Sequence, residues 1–208
     1  GLATADFLRQ VDIIVHGTTV TTNAVLTGKF ARTGLLTNAG FRDALAMRRG
    51  VREAFYDNKA TPPPSLVPRR LRLPVRGRID YQGRELEPFV ADDVERAIEE
   101  FQRQQVEAVA ISFMHAYANP AHEAAAAALV AQRMPSVYLS VSHGVLPQIR
   151  FYERTSTTVL NAVVGPILKR YMENLQRRLR EEGFEGVLRI MQSNGGVTSP
   201  QAVAALAA

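Results

Sequence analysis

The sequence predicts an α/β fold, a largely parallel sheet covered by helices, and two observations carry that prediction. Short, β-branched apolar runs alternate with segments whose apolar residues recur at helical spacing, as strand–helix units do. The 208 residues are 46% hydrophobic and 22% charged, the composition of a chain that buries a core; the length suits one large domain or two small ones.

Residues 11–15 (VDIIV) read as a buried strand ending at His16-Gly17, and a helix over 19–27 stops at Gly28. Residues 32–37 (RTGLLT) form the next strand and 41–47 a short helix. From 48 to 88 the pattern breaks, because Pro62, Pro63 and Pro64 forbid regular structure and Pro68 and Pro74 interrupt the stretch downstream of them. Residues 69–79 alternate Arg with Leu and Val, which predicts an edge strand with its Arg side chains in water. Tyr81-Gln82-Gly83 then turns into a return strand over 84–86. This segment is an insertion with a small sheet of its own.

The alternation resumes with a helix over 91–104, on which Val94, Ala97, Ile98 and Phe101 share a face, and a strand over 106–113. Asn119 as N-cap and Pro120 as first residue open a helix to Arg133. A strand over 137–141 precedes a long helix over 148–182, which Gly165-Pro166 should kink or break. The last strand, 187–192, runs into Ser193-Asn194-Gly195-Gly196, and Ser199-Pro200 caps a final helix.

Composition excludes several classes of function. With no Cys there is no disulfide scaffold, zinc finger, iron–sulfur site or thiol catalysis. No apolar run reaches the roughly 18 to 20 residues of a membrane span, and GLATADFLRQ is not a signal peptide, so a cytoplasmic protein is expected. Of the net +5, the stretch from Arg42 to Arg78 carries +7, with ten basic residues against Asp43, Glu53 and Asp57. Such a patch suits nucleic acid, a phosphorylated ligand or an acidic partner. Only Phe55 and Tyr56 interleave its arginines and no recognition motif accompanies them, so nucleic acid is the remote alternative.

The densest polar cluster, His16 to Asn23 (HGTTVTTN), lies where a strand ends and a helix begins. Free N–H groups and hydroxyls at a helix start suit an anion or a carbonyl oxygen. The plainer alternative is that Thr18 or Thr19 is a simple cap and His16 a satisfied core histidine. Ser193 to Gly196 (SNGG) follows the last strand in the same relation, and two polar strand ends in one parallel sheet mark the crevice where ligands bind. His115 ends another strand; with His122, Tyr117, Asn119 and Glu123 it makes a poor metal set, having no HExxH spacing. The hydroxyl run Thr155-Ser156-Thr157-Thr158 points to close packing, helix on helix first, with Asn161 a candidate to face the cleft. There is no P-loop, GxSxG elbow or GxGxxG turn.

In order along the chain, HGTTVTTNAVL, TGLLTNAGFRD, FYD with LVPRRLR, SFMHAYANPAHE, LPQIRFYERTSTTVLNA and MQSNGGV resemble the hydantoinase/oxoprolinase family, and within it the ATP-binding (hydantoinase A-type) subunits. The resemblance implies an actin-like ATPase fold with ribonuclease-H-like lobes. Residues 1–140 would be the family's N-terminal region, with the insertion at about 48–88, and 141–208 the start of the hydantoinase A region. It implies ATP with Mg²⁺ as cofactors, a hydantoinase B-type subunit or domain as partner in an oligomer, and no nucleic-acid or membrane partner.

The implied activity is hydrolysis of cyclic amides of the hydantoin or 5-oxoproline type, ATP activating the amide oxygen before ring opening. The alternative is the equivalent subunit of an acetone or acetophenone carboxylase. His16, Thr18 and Thr19 would act on the oxygen; Asn23, His115, Ser193 and Asn194 would bind substrate; Gly195 and Gly196 would approach the nucleotide; no metal ligand is assigned. The family's DxGGTxTD loops and its GPAGG segment are not in these residues, so the chain reads as an internal piece, incomplete at both ends. Phosphoryl transfer depends on positioning by such loops and on metal-bound carboxylates. The isolated chain is therefore expected to bind ATP weakly or not at all, and tight Mg²⁺-dependent binding in calorimetry would overturn this.

Overall fold

The computed structural model describes residues 4–50, 56–59, 61 and 63–207; Arg52, Glu53, Phe55 and Pro62 of the insertion lie outside the described residues. In chain order the elements begin α1 (Thr4–Leu8), β1 (Ile13–His16), α2 (Val20–Thr27), β2 (Thr33–Asn38) and α3 (Ala44–Met47). A 3-10 turn at Arg69–Leu71 leads into β3 (Arg72–Val75), β4 (Arg78–Ile79), β5 (Glu85–Glu87), α4 (Ala91–Arg103) and β6 (Ala108–Ser112). Next come α5 (Ala121–Arg133), β7 (Tyr138–Val141), α6 (Ser142–Val145) and α7 (Phe151–Glu181). The last elements are β8 (Val187–Met191), β9 (Val197–Thr198) and α8 (Pro200–Ala205). The chain forms two compact units, Ala31–Val163 and the combination of Gly1–Phe30 with Val164–Ala208.

The alternation of strands and helices is present, but it builds two parallel arrangements instead of one sheet. A β-strand reads the same in sequence whichever sheet it joins, since pairing is decided by tertiary contacts. In the larger unit the strands order β3-β2-β6-β7, every neighbouring pair parallel. The central strands β2 and β6 are buried along their whole length, as a sheet covered on both faces requires. Helix α4 buries Val94, Ala97, Ile98 and Phe101, the face predicted from its spacing. Phe101 lies so close over Gly34 in β2 that a methyl group there would overlap its ring, which is why a strand position is given to glycine.

The insertion is partly as expected. β4 and β5 form a two-stranded antiparallel sheet of their own, closed by the turn at Tyr81-Gln82-Gly83. β3 is an edge strand, but it belongs to the main sheet beside β2, and its arginines do not all face water. Arg72 is only 5% exposed, with Nη1 at 3.4 Å from Asp43 Oδ1, and Asp43 also holds Arg69 at 3.0 Å. Arg76 donates from Nε and Nη2 to the two oxygens of Asp93, each at 2.8 Å, and Arg49 pairs with Glu153. Asp93 and Glu153, from outside the stretch, thus offset two of its seven charges, while Asp43 is already counted in the +7. Charge counting along a segment cannot see partners such as Asp93 and Glu153 that come from elsewhere in the chain.

Helix α7 meets the sheet through hydroxyls, not through another helix. Ser112 Oγ and Thr155 Oγ1 lie 2.7 Å apart, Ser140 Oγ donates to the Thr158 carbonyl at 2.9 Å, and Thr158 Oγ1 donates to the Arg154 carbonyl at 2.7 Å. Asn161, expected as a cleft residue, is buried and donates to Ser140 Oγ at 3.0 Å. Small hydroxyl side chains on both surfaces permit this close helix–sheet approach while satisfying each other. α7 runs uninterrupted through Gly165-Pro166, where a kink or break was expected.

In the smaller unit the order is β1-β8-β9, with β1 parallel to β8 and β8 antiparallel to β9. α2 ends at Gly28 in the left-handed conformation (φ +65°), and Ser199 Oγ accepts from the Ala202 N–H to cap α8, both as the sequence indicates. Pro120, not Asn119, takes the N-cap position of α5; Asn119 Oδ1 accepts from Ala121 N–H at 3.0 Å one residue earlier. Among the described residues no helix is long and apolar enough to cross a membrane.

The Arg76–Asp93 pair fixes the acid response of the larger unit. Hydrogen bonds from the Arg76 guanidinium lower the Asp93 carboxyl from 3.8 to about 2. A folded-state value below the unfolded one gives stability that is complete above the unfolded value and lost as pH falls through the folded one. Acid denaturation between about pH 4 and pH 2 should therefore be shallower in Asp93→Asn, which should also lose about 2 kcal/mol at pH 7 in urea unfolding.

Candidate functional site

In the smaller unit, β1 and β8 pair residue for residue, His16 opposite Ile190, so both strands release their chains at the same carboxyl edge. This places the Gly17–Thr19 turn and the turn after Met191 at one end of one sheet, as the two polar motifs require. The register comes from alternation: Ile14 and Leu188 share a face, and the next residue on each strand switches to the other face.

At the first turn, His16 is half-buried and its Nε2 lies 2.8 Å from Tyr171 Oη, with the rings stacked at 5.8 Å between centroids. The satisfied-histidine alternative therefore describes its immediate contacts. Thr18 Oγ1 accepts from Val20 N–H at 3.3 Å, whereas Thr19, the N-cap residue, makes no side-chain cap bond. Thr19 and Asn23 are exposed, one helical turn apart, with Asn23 Nδ2 donating to Thr19 Oγ1 at 3.3 Å. The hydroxyls and backbone here are open to a ligand oxygen.

The second turn differs from the strand-to-helix connection the sequence suggested. Ser193 to Gly196 closes a hairpin between β8 and the short β9, with Gln192 N–H donating to the Gly196 carbonyl at 2.8 Å. Asn194 Oδ1 accepts from Gly196 N–H at 2.9 Å, and Gly195 has φ +83°, the left-handed geometry such a tight turn needs. All four residues are exposed. A two-residue strand between a glycine turn and a capped helix is too short to leave a periodic signal.

His115 belongs to the larger unit, where it follows β6. It adopts φ +58°, and its Nδ1 lies 3.3 Å from Tyr117 Oη. Burial, then the Arg78 and Arg154 charges, push its pKa below 6.5 and favour the neutral ring. His122 is buried and its Nε2 meets Glu85 at 2.7 Å, so the two histidines do not act as a set. Among the described residues no group of three His, Asp or Glu could hold a metal ion.

The same carboxyl edge of the larger sheet holds a polar cluster that the sequence reading missed. Glu123, fully buried, accepts at Oε1 from Phe113 N–H (2.7 Å) and Ser142 Oγ (2.6 Å), and at Oε2 from His143 N–H (3.0 Å) and Nδ1 (2.8 Å). Arg154, also fully buried, donates to the Phe113 carbonyl at 2.5 Å and the Gln148 carbonyl at 3.1 Å, its guanidinium lying near the rings of Tyr117 and Phe151. Asn38, at the end of β2, accepts from Met114 N–H and donates to the Gly77 carbonyl. The signal was periodicity. Glu123 falls in register with buried Ala126 and Val130 on α5, and Arg154 with buried Thr158 and Ala162 on α7, so both charges sit on inward faces.

The actin-like α/β ATPase fold is shown by the match of this chain to two solved structures. The ATP-dependent caprolactamase structure from Pseudomonas jessenii matches with a TM-score of 0.88 at 41% identity, covering 97% of this chain and 30% of that one. The nucleotide-free acetone carboxylase structure matches at 0.82 and 26% identity, covering 95% and 30%. The chain belongs to the hydantoinase/oxoprolinase family: its N-terminal region matches over residues 3–134 and the hydantoinase/oxoprolinase region over 154–207. Caprolactamase subunit alpha of P. jessenii is 42% identical over 199 residues, which are 95% of this chain and 29% of that protein. The acetophenone carboxylase gamma subunit of Aromatoleum aromaticum is 30% identical over 94% of this chain and 29% of its own. This chain thus spans less than a third of the length of these relatives.

The His16–Tyr171 contact gives a direct test of the smaller unit. Removing the hydroxyl in Tyr171→Phe leaves the stacked ring and should cost about 1 kcal/mol in urea unfolding, the ordinary worth of one hydrogen bond.

Proposed function

We propose that this chain forms part of an ATP-dependent enzyme that opens cyclic amides by hydrolysis. The observation that carries this reading is the match to caprolactamase subunit alpha, which runs over 95% of the chain at 42% identity. ATP, when bound, supplies the driving force by activating the amide oxygen. Within this chain, Thr18 and Thr19 are assigned to hydrogen bonding at that oxygen, with His16 orienting their turn from its anchor on Tyr171. Asn23, Ser193 and Asn194 are assigned to substrate contact, and Gly195 and Gly196 to close backbone approach of the nucleotide. His115, on its own sheet edge, is assigned to substrate through its neutral ring.

Hydroxyls and exposed backbone suit a phosphate or carbonyl oxygen, which fits ATP at these turns. No carboxylate stands in either turn, so Mg²⁺ is not assigned to them. A B-type subunit or domain is the proposed partner, with the basic insertion as its contact. The second reading, a subunit of an ATP-dependent carboxylase, is favoured by the acetone carboxylase structure at TM-score 0.82.

The double substitution Thr18→Val, Thr19→Val in the complete enzyme should lower turnover of a cyclic amide by more than the roughly tenfold that 1.4 kcal/mol represents. Unchanged kinetics would reject the assignment. Bicarbonate incorporation into a ketone in place of ring opening would select the carboxylase reading.

A further inference from the structure

The larger unit carries a hollow of about 600 Å³ beside the edge strand β3 and helix α4, lined by residues that the assignments above do not use. Leu73, Pro74 and Ala97 give it apolar surface, and Arg70, Arg76 and Arg96 bring three guanidiniums to it. Asp93, only 8% exposed, holds two of them: Oδ2 accepts from the Arg76 backbone N–H and Nε, and Oδ1 from Nη2 of Arg76 and of Arg96. Both side chains still stand open to solvent, at 60% and 63% exposure. Arg70 is exposed too, and has no acidic partner among the described residues.

Glu100, the other carboxylate of the lining, is taken by Arg103, so four guanidiniums face two carboxylates and the hollow carries a net +2. Guanidiniums fixed in this way present their remaining N–H groups to an oxyanion. The cations stand at two ends. Arg70 precedes β3 and Arg76 follows it, and at about 3.3 Å per residue they lie on the order of 15 Å apart along the strand. A lone phosphate or carboxylate meets one end; a polypeptide with acidic residues on either side of an apolar one meets both and covers Leu73 and Pro74 between them. Nucleic acid fits poorly, since no aromatic ring lines the hollow for a base to stack on. An added strand is excluded as well. The Ala39 N–H takes the Val75 carbonyl, so the outward backbone positions of β3 are Arg72 and Pro74; the Arg72 N–H is spent on the Arg69 carbonyl and Pro74 has none.

We propose that the hollow beside β3 docks an acidic segment of the partner subunit or domain, its carboxylates on Arg70 at one end and on the Arg76 and Arg96 guanidiniums at the other. This rests on the partner reading above and gives that contact a place and a chemistry. Side chains read the segment, because the strand edge offers it no backbone donor. Arg70 draws the segment in, since an exposed, unpaired charge acts on encounter more than on the lifetime of the complex.

The test measures association of the complete subunit that carries this chain with its B-type partner, by surface plasmon resonance at low and at high salt. Arg70→Glu reverses a charge that no described residue pairs with, so its thermal melting should match the wild type. Arg178→Glu, at an exposed position of α7, makes the same change of charge in the smaller unit. Arg70→Glu should slow association by about tenfold at low salt and lose that deficit at high salt, while Arg178→Glu behaves as the wild type. Wild-type association in Arg70→Glu, or an equal loss in Arg178→Glu, overturns the inference and leaves the partner reading standing. Calorimetry in which Arg70→Glu weakens binding of glutarate, inorganic phosphate or single-stranded DNA, with partner association unchanged, overturns it in favour of a small-anion or nucleic-acid site. A wild-type subunit that does not associate with the B-type partner overturns the partner reading itself, and the inference falls with it.

Discussion

One buried carboxylate organises the larger unit. Glu123 has four donors on its two oxygens, drawn from the end of β6, from the Ser142 hydroxyl and from both the backbone and the ring of His143. An ionised carboxylate in an apolar interior is costly unless its acceptor sites are filled, and filling them here requires α5, β6 and the β7–α6 junction to meet at one point. Arg154 supplies the compensating charge from α7. The arrangement of these elements is thus set by electrostatics as much as by the apolar packing of Val109, Ile111 and Val130 around them. Removing either charge alone would strand the other, which is more damaging than replacing both.

Local structure was legible where one residue determines it. Gly28 ends α2, Ser199 opens α8, and the spacing of Val94, Ala97, Ile98 and Phe101 gives the inward face of α4, because caps and periodicity act within a few residues. The division of the strands between two sheets was not legible. Residues 11–15 and 32–37 read alike, yet β1 pairs with β8 and β2 with β6. The fate of the arginines was hidden for the same reason: nothing near Arg76 announces Asp93, and Arg72 is buried among groups on another loop.

The candidate site divides along the same line. The polar turn at His16 to Asn23 is a local signature and was found, while the hairpin at Ser193 to Gly196 was found but assigned the wrong connection, since β9 has only two residues. Glu123 and Arg154 stand inside motifs quoted from the sequence, and His143 in none of them. Their chemistry appears only when α5, β6, β7 and α7 are assembled. His115 and His143 leave neighbouring strands at one edge, yet their surroundings push them in opposite directions, one by burial and cations, the other by a carboxylate.

The smaller unit is discontinuous: β1 lies near the start of the chain, and β8, its parallel neighbour, near the end. During synthesis β1 leaves the ribosome long before the strand it will pair with exists. Closing so long a loop in a disordered chain carries an entropic penalty, which a prior collapse of Ala31–Val163 shortens to the span of a folded body. Assembly should therefore be ordered in time, with the inserted unit maturing before β1 and β8 pair.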